Sequence, residues 1–148
     1  MNVTMRVAAA LLAVALVGGC ATSGQKFSDA PTAAASPVAK QDPALGRIYF
    51  YRTMLLGAAV QPVVTVNGEI VGRATPNGFF YVDRKPGTYE IAATTEVENK
   101  LSVPLDKGQV RYVKLNLSMG FVVGRVVPEL MEPGFAAKDM ADTRYTGN

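Results

Sequence analysis

Four groups of side chains in this 148-residue chain have the types and spacing to do chemistry. The first is Cys20, the lone cysteine, placed just after the apolar run VAAALLAVALV at Val7 to Val17. Its thiolate is a nucleophile able to form a thioether. The second is Arg47, Tyr49 and Tyr51, which alternate along one short segment and so share a strand face. Rings and guanidinium groups on one face can stack on sugars or meet phosphates. The third is Glu96 and Glu98, two apart and on one strand face, able to act as a carboxylate pair or a weak Ca²⁺ site. No third oxygen ligand is patterned nearby, so they read as the solvated end of a hairpin. The fourth is a scatter of basic and aromatic residues: Arg84, Lys85, Arg111, Tyr112 and Lys114.

The gaps in the composition exclude more than these groups suggest. There is no His, which removes the usual general base and the commonest metal ligand. One Cys excludes disulfide scaffolds, CxxC redox motifs and cysteine-cluster metal sites. No GxGxxG or P-loop is present. The expectation is a protein that is not an enzyme, with no cofactor and no metal. A deep pocket holding Glu96 or Asp83 beside arginines would argue the other way. Net charge is +3 and the pI about 9.1. That is too small an excess to demand a polyanion, and nucleic acid is not expected as a partner of an exported chain.

The N-terminus gives the export signal. One positive charge, an apolar run and then small residues is the order of a secretory signal peptide. The run is shorter than the roughly 18–20 residues a spanning helix needs. Val17-Gly18-Gly19-Cys20 resembles the bacterial lipobox. That resemblance implies cleavage before Cys20, a diacylglycerol on its thiol and an acylated new amine. Two or more acyl chains hold a protein stably at a membrane, whereas one does so only marginally. Ala21 stands where Asp would resemble an inner-membrane retention signal. The resemblance therefore implies an outer-membrane lipoprotein facing the periplasm.

The organisation expected is a signal peptide over 1–19, then lipidated Cys20 and a flexible tether over 20–45. A β-sandwich over 46–131 and a C-terminal segment over 132–148 follow. The tether is rich in Ala, Ser, Thr and Pro, with Phe27 its lone aromatic residue. Such composition offers little apolar surface to offset the entropy of ordering.

From Gly46 the pattern is all-β: short Val, Ile, Tyr and Phe runs broken by turn residues. Strands are predicted at 47–53, 62–66, 69–74, 78–84, 88–97, 100–105, 109–118 and 121–127. Asn67-Gly68 between two such runs predicts a tight hairpin. Lys85-Pro86-Gly87-Thr88 predicts a type II turn and Asp106-Lys107-Gly108 another turn. Alternation in 109–118 is mixed on both faces and suggests a central strand. The fold class is an antiparallel Ig-like or transthyretin-like sandwich of about seven to eight strands. Phe135 to Arg144 reads as a short helix packing Phe135 and Met140 on the sandwich, or as a loose tail.

GRIYFYR, VNGEIVG, GFFYVDRKPGTYEI, DKGQVRYVKLN and GRVVPEL resemble a bacterial lipoprotein domain catalogued only as a domain of unknown function. The resemblance runs from residue 46 to about 147. VNGEIVG and PGTYEI are also similar to PEGA and carboxypeptidase-regulatory-like domains. Those are small β-sandwiches serving as surface or spacer modules. The implied role is a lipid-anchored structural or interaction module with an envelope protein partner. The alternative is a glycan or peptidoglycan binder using Arg47, Tyr49 and Tyr51.

Overall fold

The computed structural model describes residues 24–29, 40–55, 57–95, 99–118 and 124–147. The lipobox residues Val17, Gly18, Gly19 and Cys20, and the pair Glu96 and Glu98, lie outside the described residues. So does the Met119-Gly120 connection.

Nine strands and one helix follow in order: β1 (Gly46–Arg52), β2 (Val63–Val66), β3 (Glu69–Arg73), β4 (Gly78–Arg84), β5 (Gly87–Ala93), β6 (Asn99–Leu105), β7 (Val110–Ser118), β8 (Arg125–Met131), α1 (Pro133–Asp139) and β9 (Arg144–Tyr145). They form two sheets, β8-β7-β1-β4-β9 and β3-β2-β5-β6. The all-β sandwich expected from the alternation is what the chain adopts. Asn67 and Gly68 both take positive φ, 49° and 81°, the type I′ geometry that joins β2 to β3. β7 lies between β8 and β1, the interior position its mixed faces required.

Four features differ from the sequence reading. First, two strand pairs are parallel: β1 with β7, and β4 with β9. Each joins segments far apart in the chain, which local turn signals cannot specify. Second, Gly87 does not take positive φ; it opens β5 opposite Leu105. The type II pattern falls instead at Thr75 to Gly78, with Pro76 and a left-handed Asn77 in the centre. Third, the last long strand runs on to Met131 through Pro128. Pro is tolerated because β8 is an edge strand, paired to β7 on one side only. Fourth, the helix forms over Pro133–Asp139, but Phe135 is 72% exposed. Ala136 and Met140, four apart and so on one helix face, are the residues it buries.

The segment read as a tether also has structure near both of its ends. Gly24–Asp29 lies against the C-terminal segment, with a short 3₁₀ turn at Phe27–Asp29. Lys26 bridges antiparallel to Arg144. Phe27 N–H donates to Thr143 O at 2.9 Å, and Tyr145 N–H to Gln25 O at 2.9 Å. Composition averaged over 25 residues conceals this six-residue strap. At the other end, Gln41 Nε2 donates to Leu45 O and Gln109 O.

Strand alternation sorts the side chains of the larger sheet into two layers. Ile48 and Phe50 of β1, Phe80 of β4, and Val113 and Leu115 of β7 point between the sheets. There they meet Val64, Val66, Ile91, Val103 and Leu105. The opposite set points outward, and there the strap and α1 form a third layer, with Tyr145 of β9 beside them. β1 is therefore buried at all seven positions.

Candidate functional site

The outward layer is where the candidate face of β1 lies. Arg47, Tyr49 and Tyr51 are 3%, 8% and 0% exposed. They share a face, as their spacing required, but that face is interior. Alternation marks the two faces of one strand but carries no sign of the second layer that covers this one.

Arg47 stands directly opposite Asp83 in the β1–β4 register. Its Nε donates to Oδ1 at 2.7 Å and its Nη2 to Oδ2 at 2.8 Å, a bidentate pair. The guanidinium carbon lies 4.0 Å from the Tyr81 ring centroid and 5.8 Å from that of Tyr49. Burial alone would lower the Arg47 pKa. The hydrogen bonds to Asp83 and Tyr49, with the charges they bring, outweigh it and hold the group above its ordinary value. Asp83 thus has an arginine neighbour, but its carboxylate is committed to that ion pair.

Aromatic rings surround this pair. Tyr49 stacks on Tyr112 with centroids 5.4 Å apart and planes 10° apart. Phe27 meets Tyr49 and Phe79 edge-on, at 5.6 and 5.4 Å. Tyr145 contacts Phe79 at 5.5 Å and Tyr81 at 6.0 Å. Such pairs contribute about 0.5–1.5 kcal/mol each beyond area burial. Tyr81, Tyr112 and Tyr145 are half-buried and form the solvent rim of the layer.

Under α1 the layer ends in a second polar node. Tyr51 Oη donates to Asp139 Oδ2 at 3.1 Å, and Lys114 Nζ donates to the same oxygen at 2.6 Å. Burial, then the Asp139 charge and hydrogen bond, then Glu129, push the Tyr51 phenol above its ordinary range. Tyr112 is raised by burial, then by Tyr49. Tyr145 is raised by burial and Tyr81, with Arg47 opposing.

Nothing local in the sequence marks Asp83 as the partner of Arg47, Tyr81 and Tyr145 as rim residues, or Arg52 as a buried tie. Arg52 is the last residue of β1 on the inward face and is buried. It donates to the carbonyls of Val60, Ala74 and Gly57 at 2.7–3.0 Å, tying the loop after β1 to the end of β3. Burial lowers its pKa. Arg84 and Lys85 lie near the turn into β5, where Arg84 pairs with Glu69 at 3.1 Å. Arg111 donates to Pro104 O at 3.0 Å.

On the other flank, a cleft of about 400 Å³ lies between β3 and the C-terminal tail. Ile70, Val71, Arg73, Thr75 and Thr146 line it. Among the described residues no group of three His, Cys, Asp or Glu is placed to hold a metal ion. No described helix is long and apolar enough to cross a membrane.

Residues 43–126 match the model of a family described as "Protein of unknown function (DUF2846)". The match begins just before β1 and ends within β8, before α1 and β9. An uncharacterized protein of Haemophilus influenzae is 28% identical over 78 residues. That alignment covers 52% of this chain and 46% of the relative, so it spans about half the length of each.

Proposed function

The chain belongs to the DUF2846 family, and from that premise we propose that it is a lipid-anchored bacterial cell-envelope protein. Its β-sandwich acts as a non-catalytic structural or protein-interaction module. The observation that carries this reading is Val17-Gly18-Gly19-Cys20 directly after an apolar run too short to span. Acyl chains on Cys20 then hold the protein at the membrane. Ala21 favours the outer membrane, with the domain in the periplasm. The likeness of VNGEIVG and PGTYEI to PEGA-type modules supports a surface or spacer role. The polar groups of the outer layer are engaged with one another, which suits a scaffold better than turnover. Its partner in this reading is another envelope protein.

Metabolic labelling with palmitate tests the anchor. The full-length chain should take up label and the Cys20→Ser variant should not. Label that survives Cys20→Ser overturns the reading.

A second reading has one observation in its favour. Tyr81, Tyr112 and Tyr145 present half-buried rings around Arg47 and Asp83, a combination able to stack on sugar faces. A peptidoglycan pull-down should then weaken with Tyr112→Ala and Tyr81→Ala. Retention equal to the parent protein would remove glycan binding by this rim.

A further inference from the structure

We propose that the Gly24–Asp29 strap is a clamp that holds the domain at the lipid surface, replacing a long leash with a very short one. The inference rests on the reading that Cys20 is acylated. It concerns what the docked strap does to the geometry of that anchor.

The strap is held to the domain by its backbone and side chains together. Phe27 and Ser28 N–H donate to Thr143 O and Ala141 O at 2.9 and 3.1 Å. Tyr145 N–H donates to Gln25 O at 2.9 Å, and Arg144 Nη1 to Gly24 O at 3.1 Å. Lys26 pairs with Asp142 at 2.9 Å. Phe27 closes the aromatic layer against Tyr49 and Phe79. Gly24 fits because it has no Cβ; one built there would collide with the Tyr145 carbonyl.

Only Ala21, Thr22 and Ser23 separate Cys20 from Gly24. Whatever path they take, four peptide units reach at most ~13–14 Å. Undocked, the chain from Cys20 to Gly46 would average about 25–30 Å and stretch several times further. Docking therefore brings the strap edge of the larger sheet to the bilayer. The surface it meets is a lipid headgroup layer.

The test uses the full chain purified from bacterial membranes into phosphatidylethanolamine–phosphatidylglycerol vesicles. Lys138→Cys, on exposed α1, supplies a dye site, because an acylated Cys20 does not react with the dye. Energy transfer to an acceptor lipid reads the distance. Gly24→Ala lifts the strap by its backbone and spares every aromatic residue; Phe27→Ala lifts it by the ring. Hydrogen exchange at the Phe27 and Tyr145 amides reports release.

Each release should lower transfer at least twofold. Unchanged transfer with freely exchanging amides, in protein that still floats with the vesicles, overturns the clamp and leaves the anchor standing. Protein that fails to float, and takes dye at Cys20 as well, overturns the anchor reading, and the clamp falls with it.

Discussion

The two faces of β1 are buried to a similar degree but by different chemistry. Inward, Ile48 and Phe50 meet aliphatic side chains from both sheets, and Phe50 stacks on Phe80 at 4.9 Å. Outward, Arg47 pairs with Asp83, Tyr49 meets four other rings and Tyr51 donates to Asp139. The inner layer is held by apolar burial, which has no preferred direction. The outer layer is held by geometry, since each polar group must find its partner once water is excluded. The inner layer thus makes the domain stable. The outer layer decides which further segments may dock on it.

The contrast can be broken most severely from the inside. Phe50→Ala should cost about 3–5 kcal/mol by urea unfolding, because both sheets lose a shared contact. A loss below that of any outer-layer change would reverse the ranking of the two layers. Next in size is Asp83→Ala, which strands the buried Arg47. Breaking a fully buried pair costs about 3–5 kcal/mol, and the partial exposure of Asp83 reduces this to about 2–3 kcal/mol. Arg47→Met combined with Asp83→Leu should recover most of it. Failure to recover would mean that the pair contributes net stability.

Phe27→Ala should cost about 1.5–3 kcal/mol and should act locally. Amides of Phe27 and Tyr145 would exchange fast while those of β2 and β5 stay protected. Uniform loss of protection would show that the layers are one cooperative unit. A fragment beginning at Gly46 should still fold with a β-rich circular dichroism spectrum, and should be less stable by a similar amount.

The layers should also separate by pH. Tyr51, Tyr112 and Tyr145 keep their protons in the fold to higher pH than in the unfolded chain. Their contribution is complete below the unfolded tyrosine value of about 10. Above it the unfolded chain sheds protons that the fold retains, so stability falls as pH rises. The slope is at most about 1.4 kcal/mol per pH unit for each tyrosine. Urea midpoints measured from pH 8 to 11 should show the fall, and Tyr51→Phe should flatten it. The smallest effect is expected at Ile70, 66% exposed on β3, where Ile70→Thr should stay within about 0.5 kcal/mol.

The inner layer was readable from the sequence because its determinants are local. Alternation marks the strands, and Asn67-Gly68 sets a register by backbone sterics alone. The outer layer was not readable, because its contacts depend on which distant strands become neighbours. Arg47 faces Asp83 only once β1 lies beside β4. Tyr49 stacks on Tyr112 only through the parallel pairing of β1 with β7. Phe27 is a lone aromatic residue in a polar stretch until Thr143 and Tyr145 arrive to receive it. The proposed acylation of Cys20 likewise rests on a local signal, the apolar run before it.

The bridge between Lys26 and Arg144 finally bears on the order of assembly. Its two sides leave the ribosome more than a hundred residues apart, so the strap is made early and docks late. Until Arg144 arrives, Tyr49 and Phe79 lack their edge-on partner and remain open to competing contacts. That interval is when the nascent chain is most exposed to aggregation. A holding chaperone that favours aromatic surface would find its target on the outward face of β1 and β4.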